Sequence, residues 1–165
     1  VADSKQEQET RPTIEYQAVK NYEDQMNATA EQLKSMGVND VADSVAKMKR
    51  GLDNGIPQFL HVIGVKAATT ARETERSMVG HGRSGYVPSG NLMRSITSYD
   101  RDLATQVYPN AIASDGKTEY GGFVEDGTRK HPIPEPYMGN ADKAMVDEIN
   151  KQLASLSETV NGGAK

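Results

Sequence analysis

The chain has 165 residues, of which 36% are apolar, 5% aromatic and 25% charged, with a formal net charge of −4. Such a length describes one domain, or one domain with an arm, and the acidic balance argues against gripping nucleic acid by phosphate neutralisation. Cysteine is absent, which excludes disulfide scaffolds, thiolate metal sites and cysteine nucleophiles.

Residues 1–13 are polar and lack a period, so they read as a flexible tail. They hold no apolar stretch of the kind a signal peptide needs, and no run of about 18 apolar residues occurs anywhere to span a membrane. The expected setting is the cytoplasm, or a particle assembled there. Tyr16, Val19, Tyr22, Met26, Ala30, Leu33 and Met36 recur at steps of three and four, which predicts an amphipathic helix ending at Gly37. Asn39 and Asp40 offer an N-cap, and Val41, Val45, Met48 and Leu52 give a second stripe. Asp53-Asn54-Gly55 reads as a break, with Pro57 in the first turn of a third helix that continues through Ile63 and Ala71 toward Met78. His61 sits among those apolar residues as a satisfied structural histidine.

Residues 80–85 match G-x-G-x-x-G, yet what precedes them looks helical rather than strand-like, and Tyr86-Val87-Pro88 follows. A dinucleotide site needs the opposite order, so residues 79–90 are expected to be a surface loop. Two short β-prone runs, 96–99 and 104–108, flank Asp100-Arg101-Asp102 and predict a hairpin. Residues 111–113 are a candidate third strand.

The stretch from Thr118 to Ala144 organises the rest. Tyr120, Phe123 and Val124 share one face of a helical turn, Asp126-Gly127 reverses the chain, and Pro132, Pro134 and Pro136 stiffen an extended arm over 129–137. Ala141, Met145, Ile149, Leu153, Leu156 and Val160 then form the stripe of a closing helix, expected to pack on the sheet beside the second helix; residues 162–165 are a tail. The fold class predicted is α+β, a single domain over 14–161: N-terminal helices, a small antiparallel β-sheet with helices packed on one face, and a long C-terminal helix.

Catalysis finds little support. The three histidines, His61, His81 and His131, do not pair at ligand spacing, and no G-x-S-x-G elbow exists. Neither a metal nor a cofactor is implied. Arg129, Lys130 and His131 make a basic tip on an acidic chain, a directional handle for the acidic face of a neighbouring subunit. Glu125 and Arg129 form the expected interface pair, with Tyr137 and Met138 as its apolar anchor. A passive contact of the basic tip with DNA in a channel is the other role considered.

The run Tyr120, Phe123, Val124, Glu125, Gly127, Thr128, followed by Pro136, Tyr137, Met138 and Ala141, resembles the pattern of a family of small tail-component proteins of long-tailed double-stranded DNA phages. These are described as minor tail, neck or tail-completion proteins. Ser89-Gly90-Asn91-Leu92-Met93-Arg94-Ser95-Ile96 resembles the family's upstream segment, so the likeness covers roughly residues 45–155. Asp126 stands where the family usually has an aromatic residue, and Gly121-Gly122 replaces better helix formers. The resemblance implies a structural virion protein, a homo-oligomeric ring of six copies, and partners in the tail terminator, tail tube and head connector. The alternative is a small enzyme or nucleotide- or metal-binding protein built on the Gly80–Gly85 loop.

Overall fold

The chain enters through a strand, β1 (Ile14–Gln17), where a helix was expected from Tyr16. Ile14 is buried, Glu15 exposed, Tyr16 half-buried and Gln17 exposed, a period of two that the three-and-four spacing hid. The fold is that of a computed structural model, which describes residues 11–18, 21–81 and 85–162. The tail expected over 1–13 falls mostly outside the described residues, as do Val19 of the first stripe, Gly82, Arg83 and Ser84 of the glycine motif, and 163–165.

Helix α1 (Tyr22–Ser35) begins with Glu23 and Asp24 in its first turn, where the helix dipole favours acids. It ends as the sequence suggested. Gly37 takes φ +79°, the Val38 N–H donates to Leu33 O at 3.0 Å, and the Gly37 N–H donates to Lys34 O at 2.9 Å. These two bonds are the pair that closes a helix through a left-handed glycine.

Helix α2 (Asn39–Met78) is unbroken for 40 residues, about 60 Å at the α-helical rise. Val38 is its cap residue, so Asn39 and Asp40 lie inside the first turn rather than capping it. Pro57 is internal, and the break read at 53–55 does not occur. Packing explains this. Asp53 accepts from Lys49 at 2.6 Å and from Tyr22 of α1 at 3.0 Å, so it ties two helices instead of ending one. Gly55 lets another helix come close: a Cβ there would lie 2.5 Å from Leu156 Cδ1. Tertiary contact has overridden the local preference. His61, expected among apolar residues, is exposed and bonded to Asp100 at 2.7 Å.

A short helix α3 (Asn91–Ser95) leads into the predicted hairpin, β2 (Ile96–Arg101) and β3 (Ala104–Pro109). The sheet is antiparallel in the order β1-β3-β2, with Ile14 opposite Val107 and Ser98 opposite Val107 from the other side. The third strand is therefore β1. The candidate at 111–113 contributes only a single bridge, Ile112 to Glu119, because β1 already occupies the free edge of β3. The second half of α2 lies across one sheet face. Gly64 makes the approach possible, since a side chain there would collide with Thr105 and meet Ser98 Cβ at 3.2 Å.

Helix α4 (Gly121–Asp126) is the predicted turn after Tyr120, and the arm then leads to α5 (Tyr137–Ala144) and α6 (Val146–Gly162). The closing stripe, read as one helix, is divided at Met145, which ends α5, is buried and donates its N–H to Asp142 O at 3.0 Å. α6 lies beside the long helix α2, as expected, but packs along it rather than on the sheet, because α2 already covers that face. Val160 sits 3.4 Å from a Cβ built on Gly51, and Glu148 pairs with Lys66. The core lies between α2, the sheet and α5, around Ile63, Leu92, Ile96, Val107, Tyr137 and Met145. The architecture is α+β, with a three-strand antiparallel sheet and a long C-terminal helix.

Candidate functional site: an apolar cleft beside the proline arm

Gly127 takes φ +77°, and the chain reverses there as its sequence suggested. The Thr128 N–H donates to His131 O at 2.8 Å, and the His131 N–H donates to Thr128 Oγ1 at 3.0 Å. The tip so formed carries Arg129 and Lys130 into solvent. The arm then runs back over the domain outside the sheet. It is pinned at Glu135, whose N–H donates to Val124 O at 3.0 Å and whose Oε1 accepts the Gly80 N–H at 3.1 Å.

Between the arm, α4, residues 85–91 and residues 112–114 lies a cleft of about 430 Å³. Its walls are largely apolar: Tyr86, Val87, Ile112, Tyr120, Phe123 and Ile133. Four of these, Val87, Ile112, Phe123 and Ile133, are large apolar side chains left to solvent, Val87 to 85%. A contiguous exposed apolar surface is the usual mark of a contact site. Tyr120, Phe123 and Val124 all line this cleft, as their shared helical face implied. Tyr86 and Tyr120 pack with ring centroids 6.4 Å apart, and Asn91 Nδ2 donates to the Tyr120 hydroxyl at 3.2 Å. That bond joins the two stretches that carry the phage resemblance, 89–96 and 120–141.

Close to the cleft residues Glu135 and Tyr86, Glu75 of α2 is buried, and its Oε1 has no hydrogen-bond partner among the described residues. Burial first, and the charge of Glu135 second, push its carboxyl above the usual range. Burial likewise pushes the Tyr86 and Tyr137 hydroxyls up. His131 lies against Gly85, its Nδ1 3.2 Å from where a Cβ on that glycine would be.

The expected interface residues divide. Gly127 and Thr128 build the arm's turn, and Arg129 and Lys130 are exposed on it. Glu125 turns inward and is bonded to the backbone of α5. Tyr137 and Met138 are buried in the chain's own core, so they do not present an apolar anchor on its surface. The exposed apolar groups are instead Val87, Ile112, Phe123 and Ile133. Sequence reasoning placed Phe123 on a helical face and Ile112 in a candidate strand, but passed over Val87 and Ile133, which stand singly beside prolines outside any stripe. For those two the isolation was itself the available signal, since no core face claims them.

Gly80 and Gly85 have φ of +78° and +75°, and a helix precedes them. The strand-then-helix order of a dinucleotide site is not present around these two glycines. Among the described residues no group of three or more His, Asp or Glu is placed to hold a metal ion, and no helix is long and apolar enough to cross a membrane. No family model, no curated protein and no solved structure matches this chain.

Proposed function

We propose that this chain is a structural protein of a phage neck or tail end, working as a ring of copies that joins the tail tube to the head-side connector. One observation supports the reading above the others. The two stretches that resemble the phage family meet at an exposed apolar cleft whose edge carries the basic tip Arg129-Lys130. Such a surface is suited to protein contact. The role needs contact alone, without cofactor, in a virion assembled in the host cytoplasm. A net charge of −4 suits a channel through which DNA slides without adhering.

The test is native mass by light scattering across a concentration series, alone and with tail-tube or connector protein added. A ring, or a monomer that becomes one on addition of either partner, is the expected result. A monomer under every one of these conditions overturns the reading. The cleft's volume also falls within the range of small-molecule sites, about 300–1,000 Å³, which favours a ligand-binding protein as the second reading. A rise in melting temperature with a nucleotide or divalent metal would support that alternative.

A further inference from the structure

The α1–α2 turn and the cleft stand at opposite ends of α2, separated by most of its length of about 60 Å. At the turn, Met36, Val38 and Val41 are 67%, 39% and 47% exposed, three large apolar side chains within six residues. Among the described residues, a Cβ on Gly37 between them would meet no atom within 4 Å. The chain thus has an apolar knob at one end and an apolar hole at the other. A continuous helix keeps the two from meeting within one molecule.

Their charges are opposite. Glu31 beside the knob is paired with Lys34, which leaves exposed Asp40 and Asp43 against Lys47. Around the cleft, exposed Arg94, Lys117, Arg129 and Lys130 stand against exposed Asp115 and Asp126 and the lining Glu135, so the rim keeps a basic excess. Knob against knob would face Asp40 and Asp43 with their own copies. Cleft against cleft would do the same to Arg129 and Lys130. Like charges brought together at an interface oppose it, whereas knob against cleft joins apolar surface to apolar surface and acid to base.

We propose that the α1–α2 turn of one copy seats in the cleft of the next, with Met36, Val38 and Val41 against Phe123, Ile133 and Val87. The occupant of the cleft is a second copy of this chain. This rests on the ring reading and names the surfaces that make the ring. A contact between two different patches closes into a ring when the rotation between copies allows it.

These 165 residues include no cysteine, so disulfide trapping has a clean background. A chain carrying both Val41→Cys and Phe123→Cys is expected to give a ladder of linked copies on mild oxidation, and each single variant only monomer. In parallel, Val41→Lys and Phe123→Lys change exposed positions. Each is expected to keep the wild-type melting temperature and to weaken self-association at least about tenfold, or about 1.4 kcal/mol. Mixed in equal amounts the two stop at a pair, because only one intact knob and one intact cleft remain to meet. A dimer from Phe123→Cys alone, or both lysine variants still forming the wild-type ring, overturns the proposal and leaves the ring reading standing. A wild-type chain that stays monomeric even with tail-tube and connector protein, with no ladder from the double-cysteine chain, overturns both.

Discussion

Glu125 closes the amino end of the helix that Met138 belongs to: its Oε2 accepts the Met138 N–H at 2.9 Å, while its Oε1 accepts that of Gly139 at 2.9 Å. Pro136, the cap residue of α5, supplies no side-chain bond of its own. The carboxylate reaching across from α4 therefore satisfies donors that the helix start leaves open. Burial first, with the charge of Asp126 beside it, raises this carboxyl and outweighs the backbone N–H groups that pull it down. What the sequence offers as a handle for a partner is used inside the chain to lock α4 to α5.

Replacing Glu125 by alanine should strand two half-buried N–H groups. A loss of about 1–3 kcal/mol is expected, which in a chain of this size lowers the melting temperature by about 2–4 °C per kcal/mol. Glu125→Gln keeps an acceptor and should lose less. Calorimetry of the two variants checks the order, and an unchanged Glu125→Ala melting temperature would show that the bonds contribute nothing.

Two glycines of α2 should respond to alanine with opposite signs. At Gly64 the added methyl collides with Thr105 across the helix–sheet contact. The helix must shift, at a cost of about 1–3 kcal/mol. At Gly51 the nearest atom is Val160 Cα at 3.4 Å, an ordinary contact. Gly51→Ala should then gain up to about 1 kcal/mol from helix propensity. Urea unfolding of both decides the matter, and a loss at Gly51 would mean that α6 packs closer there than the structure has it.

Glu75 gives a dependence on pH. Its folded-state carboxyl is held above the usual range by burial and by Glu135. The folded protein therefore keeps this proton more tightly than the unfolded one. Stability is full below the ordinary carboxylate pKa and declines as pH rises from there to the raised value, after which the loss is constant. Glu75→Gln mimics the protonated form at every pH. The melting temperature of the variant should match the wild type near about pH 4 and exceed it near about pH 7, from the ordinary glutamate pKa. A difference that does not grow across that window would remove the carboxyl from the account.

Much of the fold could be read from residue pattern because the physics was local. The hairpin 96–109 follows from β-prone runs around a polar turn, the stop at Gly37 from a backbone conformation that favours glycine, and the reversal at Gly127 from the same cause. The errors share another cause. Gly55 and Pro57 look like breakers, but α6 fills the space the glycines leave and Asp53 is held by Lys49 and Tyr22. Tyr16 fits the helical stripe by spacing, yet its partner strand lies some ninety residues on, at Thr105. The cleft was half legible. The face of Tyr120, Phe123 and Val124 was visible in the sequence, but the walls facing it come from three separate loops.

The unbroken course of α2 carries one more consequence. It gives the molecule two unlike poles, an acidic knob and a basic-rimmed hollow, held at a fixed distance. A body of that kind has no half-turn that maps it onto itself. Under the proposed contact, copies joined pole to opposite pole would all point the same way round, and a ring of them would take its sense of direction from a single helix. Two different structures can then be met on its two sides, with no further component to tell front from back.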